Sequence, residues 1–171
     1  MEILEIIKSR RSIREFQEKP IPEKLIEKLI TALIWAPSAH NLQSRKFYFV
    51  SKKEIKAKLV EAAFSQNFIN QAPLVIVGCQ DLKKVEYYKE RNKNLYSICD
   101  VATSIQNLML LAKEEGPGTC WVGKFNEKEV SKILGLPESL RPIVIIPVGY
   151  PAEEPEAPAR LSKDELIKFI K

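Results

Sequence analysis

Asp100–Phe125 runs DVATSIQNLMLLAKEEGPGTCWVGKF: a long apolar repeat, a glycine turn and a short β-prone segment in direct succession. Val101, Ile105, Leu108, Met109 and Ala112 recur at helical spacing, and Ile98 extends the stripe upstream. Leu110 and Leu111 carry apolar surface almost round the helix, so a helix over 98–113 is expected at the centre of the molecule. Gly116-Pro117-Gly118 ends it. Thr119–Val122 then reads as a strand entering a turn at Gly123-Lys124.

Outward from this centre the chain alternates helical and strand patterns. Residues 2–9 form a short amphipathic helix with Ile3, Ile6 and Ile7 on one face. Pro22 opens a second helix, in which Leu25, Leu29 and Leu33 make one row and Ile26, Ile30 and Ile34 the next, and Pro37 stops it. Lys46–Val50 predicts a strand, 52–63 a helix, and the continuous apolar run Leu74–Val77 a strand buried on both faces. Residues 83–96, with Tyr87, Tyr88 and Tyr96, read either as a mobile lid or as an exposed helix. A helix over 127–134 closes at Gly135, and 142–150 is another buried strand. Pro147 inside it predicts a sheet edge or a bulge, because proline cannot donate to a ladder. Pro151–Pro158 predicts an extended arm, followed by a short helix from Ser162. With no internal repeat, residues 1–171 are expected to form one layered α+β or α/β domain, with 151–160 as a C-terminal arm.

Composition narrows the function. The 171 residues carry a net charge of +5, spread along the chain rather than gathered in a stripe with aromatics, so a nucleic-acid partner is not expected. Apolar runs stay below about 18 residues, and the N-terminus lacks the pattern of a secretory signal, so a soluble cytoplasmic domain away from membranes is expected. Cys79, Cys99 and Cys120 form no CxxC pair and lie in apolar stretches, which predicts buried free thiols. His40 is the lone histidine, and no GxSxG turn accompanies it, so neither a metal site nor a triad is expected.

Three segments are candidates for chemistry. If Arg10-Arg11-Ser12-Ile13-Arg14 is extended, Arg10, Ser12 and Arg14 share a face suited to a phosphate; a helix end with solvated arginines is the alternative. Ala36-Pro37-Ser38-Ala39-His40-Asn41-Leu42-Gln43 offers amide donors and acceptors to a heteroaromatic edge, or is an ordinary polar loop. Gly116–Phe125 ends in a turn whose backbone N–H groups are open to a flat ligand, or is a plain sheet-edge turn. Neither GxGxxG nor GxxxxGK[ST] is present.

Taken together, RRSIREF (10–16), APSAHNLQ (36–43), QAPLVIVG (71–78), the 100–125 segment, ILGLPESLRPIVIIPVGYP (133–151) and the Pro-rich arm with Arg160 resemble the nitroreductase family of FMN-dependent oxidoreductases over nearly the whole chain. The resemblance implies an α+β fold, a central mainly antiparallel sheet flanked by helices, and a homodimer with FMN at the interface. It implies that Arg10, Ser12 and Arg160 hold the FMN phosphate, with Arg11 contributing mainly backbone and Arg14 approaching the pyrimidine. Pro37, Ser38, Asn41 and Gln43 would meet the isoalloxazine, usually from the partner subunit. Val122, Gly123 and Lys124 would lie near flavin N5 and O4, and Gln66 near the flavin or ribityl chain. Pro158 stands where many members carry a lysine, which leaves more of the phosphate to Arg10 and Arg160. The implied activity is ping-pong transfer of hydride from NAD(P)H through FMN to an electron-poor small molecule such as a nitroaromatic or quinone, with no catalytic acid or base. The alternatives are a specialised flavin enzyme on the same scaffold (a dehalogenase, a dehydrogenase or a flavin-destroying enzyme) or a non-enzymatic FMN-binding protein.

Overall fold

Leu74–Val77 is buried on both faces because its strand lies inside a sheet with helices above and below. The computed structural model describes residues 2–86 and 90–170. In chain order the elements are α1 (Ile3–Ser9), α2 (Glu23–Ile34), β1 (Arg45–Val50), α3 (Lys53–Ala62), α4 (Phe68–Gln71), β2 (Leu74–Asp81), α5 (Glu90–Glu115), β3 (Gly118–Thr119), α6 (Glu127–Leu134), β4 (Leu140–Gly149) and α7 (Lys163–Leu166). The strands lie in the order β1-β2-β4-β3, and each named pair is antiparallel.

The two-residue period of the inner strands sorts their side chains between two cores. Leu74 and Ile76 of β2, with Val144, Ile146 and Val148 of β4, pack against Leu25, Leu29 and Leu33 of α2 and Val101, Ile105 and Leu108 of α5. Val75 and Val77, with Ile145, face the opposite way onto Leu59 and Val60 of α3, Ile69 of α4 and Val130 of α6. Cys79 joins this second core, and burial pushes its thiol up to about 12, which makes it inert. Over Leu95–Glu115, α5 is long and apolar enough to cross a membrane, yet its apolar face covers the sheet.

Three expectations change. Helix α5 spans 90–115 rather than 98–113, so Tyr96 belongs to it. The 3-10 turn Leu82–Val85 overlaps the start of the candidate lid at 83–96, while Tyr87 and Tyr88 lie outside the described residues. Cys99 is exposed, not buried, because it falls on the side of α5 away from Val101 and Ile105.

Pro147 is the third change. It sits in β4, an inner strand, opposite Val75 of β2. Its missing donor is accommodated on the other side. Gly118 pairs with Gly149 and Val122 bridges Ile145, a register that sets Cys120 opposite Pro147. Ile145 donates its N–H to Val122, so the alternate residue Pro147 turns its nitrogen toward the same strand. There β3 breaks: Gly118–Thr119 is a strand, Val122 an isolated bridge, and the residues between are unpaired. The proline thus interrupts its neighbour instead of occupying an edge itself.

Candidate functional site

The segment from Arg10 to Phe16 leaves α1 in extended conformation and is laid across the β3–β4 edge. Ser12 bridges Thr119, Phe16 bridges Pro151, and the Ile13 N–H donates to the Thr119 carbonyl at 3.0 Å. Ile13 and Phe16 are buried, and the paired glycines beneath them make room. A Cβ on Gly118 would come within 2.4 Å of Ile13, and one on Gly149 within 2.8 Å of Phe16. With Ile13 turned inward, the Ser12 hydroxyl hydrogen-bonds the Cys120 thiol, and Arg14 and Arg10 act on it electrostatically. Burial raises the pKa of that thiol, while Arg14, the Ser12 hydroxyl and Arg10 oppose the rise. Arg11 turns away: its guanidinium donates to the Lys8 carbonyl at 2.7 Å and the Arg10 carbonyl at 2.8 Å, closing the end of α1.

A second group adjoins through β3. Val122 is buried and paired with Ile145, whereas Gly123 and Lys124 emerge into solvent. The Gln66 side-chain amide donates to the Ala63 carbonyl at 2.9 Å and to the Lys124 carbonyl at 3.0 Å, tying the end of α3 to this turn. Phe64 and Ser65, between them, hold φ of 55° and 63°.

The loop 37–43 is also bent into unusual backbone. His40, Asn41 and Gln43 have φ of 50°, 55° and 50°; His40 and Gln43 pay about 1–2 kcal/mol each for that conformation, which asparagine tolerates better. Its geometry is held from outside. One Asp100 carboxylate oxygen accepts the Ala39 N–H at 3.1 Å; the other accepts the Ser44 N–H at 3.1 Å and the Ser44 hydroxyl at 2.7 Å. The Arg45 guanidinium donates to the carbonyls of Ile34, Ala36 and Pro37 at 2.7–3.0 Å. Burial lowers the Arg45 pKa, and Asp100 opposes that shift. Within the loop, Ser38 accepts the Gln43 N–H at 3.0 Å. Sequence inspection missed Asp100, Ser44 and Arg45. The available signal was a single carboxylate, Asp100, within the apolar stretch 98–113, and it is 3% exposed in the fold.

Two of the three sets therefore meet in one chain and the third stands apart. Arg10, Ser12 and Arg14 are joined through β3 to Val122, Gly123, Lys124 and Gln66. Pro37, Ser38, Asn41 and Gln43 lead into β1, at the opposite edge of the sheet, about 15 Å away at ordinary strand spacing. Arg160 is exposed and, among the described residues, bonds the carbonyls of Pro158 and Ala159.

Beside Arg10 lies a groove of about 410 Å³, lined also by Arg11, Lys113, Gly118 and Glu153. Among the described residues, neither Arg10 nor Arg14 is in an ion pair. Arg10 at this groove, with Ser12 and Arg14 on the Cys120 side of the same segment, supplies the charge and donors that a phosphate monoester requires. Among the described residues, no group of three or more His, Cys, Asp or Glu is placed to hold a metal ion.

Comparison with known proteins agrees with this architecture. The sequence pattern of the Nitroreductase family matches residues 7–69 and 62–150. The chain is 33% identical over 161 residues to a protein of Methanothermobacter thermautotrophicus named as a candidate NADH dehydrogenase/NAD(P)H nitroreductase, covering 91% of this chain and 80% of that one. It is 27% identical to an iodotyrosine deiodinase of Haliscomenobacter hydrossis, covering 99% and 88%. The solved NADPH:FMN oxidoreductase of Vibrio harveyi, complexed with NAD+, superposes with a TM-score of 0.92 at 25% identity, covering 99% of this chain and 77% of that one. A four-stranded antiparallel sheet between helical layers, crossed at one edge by an arginine-rich extended segment, is the nitroreductase fold. The chain belongs to the nitroreductase family.

Proposed function

We propose that this chain is an NAD(P)H-dependent FMN oxidoreductase that reduces an electron-poor small molecule, a quinone or nitroaromatic, in two half-reactions at one site. The observation that carries it is that Arg10, Ser12 and Arg14 all act on Cys120, two residues before the Val122–Lys124 turn, while Arg10 also lines an open groove. Arg10 and Ser12 would hold the phosphate, with Arg160 completing its charge. Arg14 would stabilise negative charge developing on the pyrimidine side of the ring. The backbone of Val122, Gly123 and Lys124, fixed by the Gln66 amide, would fix the ring edge and exclude water from it. Pro37, Ser38, Asn41 and Gln43 would meet the opposite side. When bound, FMN supplies the hydride chemistry, and no side chain has to act as acid or base.

The separation of the 37–43 loop from the arginine cluster favours a homodimer in which each loop completes the partner's site. The C-terminal segment points the same way: Leu161, Leu166, Ile167, Phe169 and Ile170 are all more than half exposed. A tail this apolar is stabilised by a surface outside its own chain. A cytoplasmic location accompanies this function, since both reductant and flavin are found there.

The purified protein should be yellow, and heat should release FMN at about one per chain, identified by mass. A colourless protein that takes up no added FMN would overturn the proposal. The deiodinase relative favours a second reading, reductive dehalogenation on the same scaffold. Halide release from a halotyrosine, driven by reduced flavin, distinguishes it from quinone reduction.

A further inference from the structure

Phe64 is placed where stability alone would not put it. It follows the last turn of α3, at the position that commonly takes glycine because the backbone there is left-handed. Its N–H donates to the Glu61 carbonyl at 3.1 Å, and the Ser65 N–H reaches back to the Val60 carbonyl at 2.9 Å. The φ of Phe64 is 55° and that of Ser65 is 63°. A bulky side chain is strained in this conformation, and core packing does not compensate, because Phe64 is 59% exposed. Strain of this kind, with an apolar ring held in solvent, points from an observed outlier to a function.

Its neighbours say which. The Lys124 ammonium lies 5.6 Å from the centre of the Phe64 ring. The next side-chain tie, from the Gln66 amide to the Lys124 carbonyl, locks the Phe64 turn onto the Val122–Lys124 turn. Trp121, 40% exposed, flanks Gly123 closely enough that a Cβ there would lie 3.6 Å from its indole nitrogen. Exposed rings and one ammonium therefore border the turn assigned above to the flavin edge.

We propose that Phe64, with Lys124 beside it, is the specificity-determining wall of the acceptor site, selecting planar aromatic acceptors by stacking and by attraction to electron-rich oxygen substituents. This rests on the FMN-oxidoreductase function proposed above. The reaction it biases is balanced: NAD(P)H, one proton and a quinone give NAD(P)+ and the hydroquinone. Stacking acts on the quinone and has no counterpart for ferricyanide, an octahedral anion that takes the same two electrons one at a time on two ions.

The test uses FMN-loaded full-length wild type, Phe64→Gly, Phe64→Asn and Phe64→Tyr. Both Gly and Asn tolerate left-handed backbone, so these variants are expected to fold without a fall in unfolding midpoint. The readout is kcat/KM for menadione divided by kcat/KM for ferricyanide. This ratio should drop about threefold to tenfold in Phe64→Gly and Phe64→Asn, chiefly through the KM of menadione, and be retained in Phe64→Tyr. An active wild type whose ratio is unchanged in both Gly and Asn variants overturns the wall. A lower unfolding midpoint with an unchanged ratio overturns it too, assigning Phe64 to packing. A wild type that binds FMN but oxidises NAD(P)H with neither acceptor fails at the earlier proposal instead.

Discussion

In the proposed phosphate site Arg10 combines two features: its backbone leaves α1 extended, and among the described residues its guanidinium is in no ion pair. Arg10→Ala should therefore weaken FMN binding about tenfold to a hundredfold, since a charge-assisted hydrogen bond contributes roughly 1.5–3 kcal/mol. Fluorescence titration of apoprotein with FMN measures it. Arg160→Ala should weaken binding in the same direction, and wild-type affinity in both variants would remove them from the phosphate site. Asp100 acts one step further out. Asp100→Asn keeps the shape but replaces a charged acceptor by a neutral amide at three hydrogen bonds, so stability should fall by about 2 kcal/mol. If the 37–43 loop meets the flavin, visible circular dichroism of the bound cofactor should change as well. A thermal shift with an unchanged flavin spectrum would restrict Asp100 to stability.

Between elements, the side chains that join α6 to β4 make a pH prediction. Arg141 of β4 donates to both carboxylate oxygens of Glu127, the first residue of α6, at 2.7 and 2.8 Å. These hydrogen bonds hold the Glu127 carboxyl below its ordinary value, against the opposing effect of burial. A carboxylate with a depressed folded pKa adds stability above its unfolded pKa, near 4.3, and loses it as pH falls through the folded value. Both side chains are almost half exposed, so the contribution is about 0.5 kcal/mol. Urea unfolding from about pH 6 to pH 3 should show wild type losing more stability than Arg141→Ala, and parallel curves would show that the pair contributes nothing.

At the scale of the whole molecule, the proposed site is divided between opposite sheet edges, and the homodimer proposed to complete it is testable. Sedimentation should give a dimer at micromolar concentration. A chain truncated after Arg160 should dissociate more readily and lose FMN with it, because the deleted apolar residues are more than half exposed in their own chain. A monomer retaining stoichiometric FMN would contradict the shared site. Mixed dimers sharpen the prediction. A dimer of Arg10→Ala with Asp100→Asn subunits should keep one intact site, because the two damaged groups fall together at the other.

Local patterns in the amino-acid sequence determined the order and type of most elements. The i,i+4 rows of α2 and α5 and the apolar runs of β2 and β4 reflect periods of 3.6 and 2, which are properties of the backbone. The extended face of Arg10, Ser12 and Arg14 was legible for the same reason, since alternation in a strand is purely local. Tertiary structure decided the rest. Pro147 could be an inner-strand residue only because Cys120, opposite it, leaves the ladder. Cys99 faces solvent because α5 presents its other side to the sheet. Asp100, Ser44 and Arg45 came together because β1 follows the loop directly while α5 returns from 56 residues away in sequence. Phe64 acquired its neighbour Lys124 by the docking of the end of α3 beside the turn after β3. Each of these depends on contacts between residues far apart in the chain, and such contacts leave no periodic trace in the sequence that makes them.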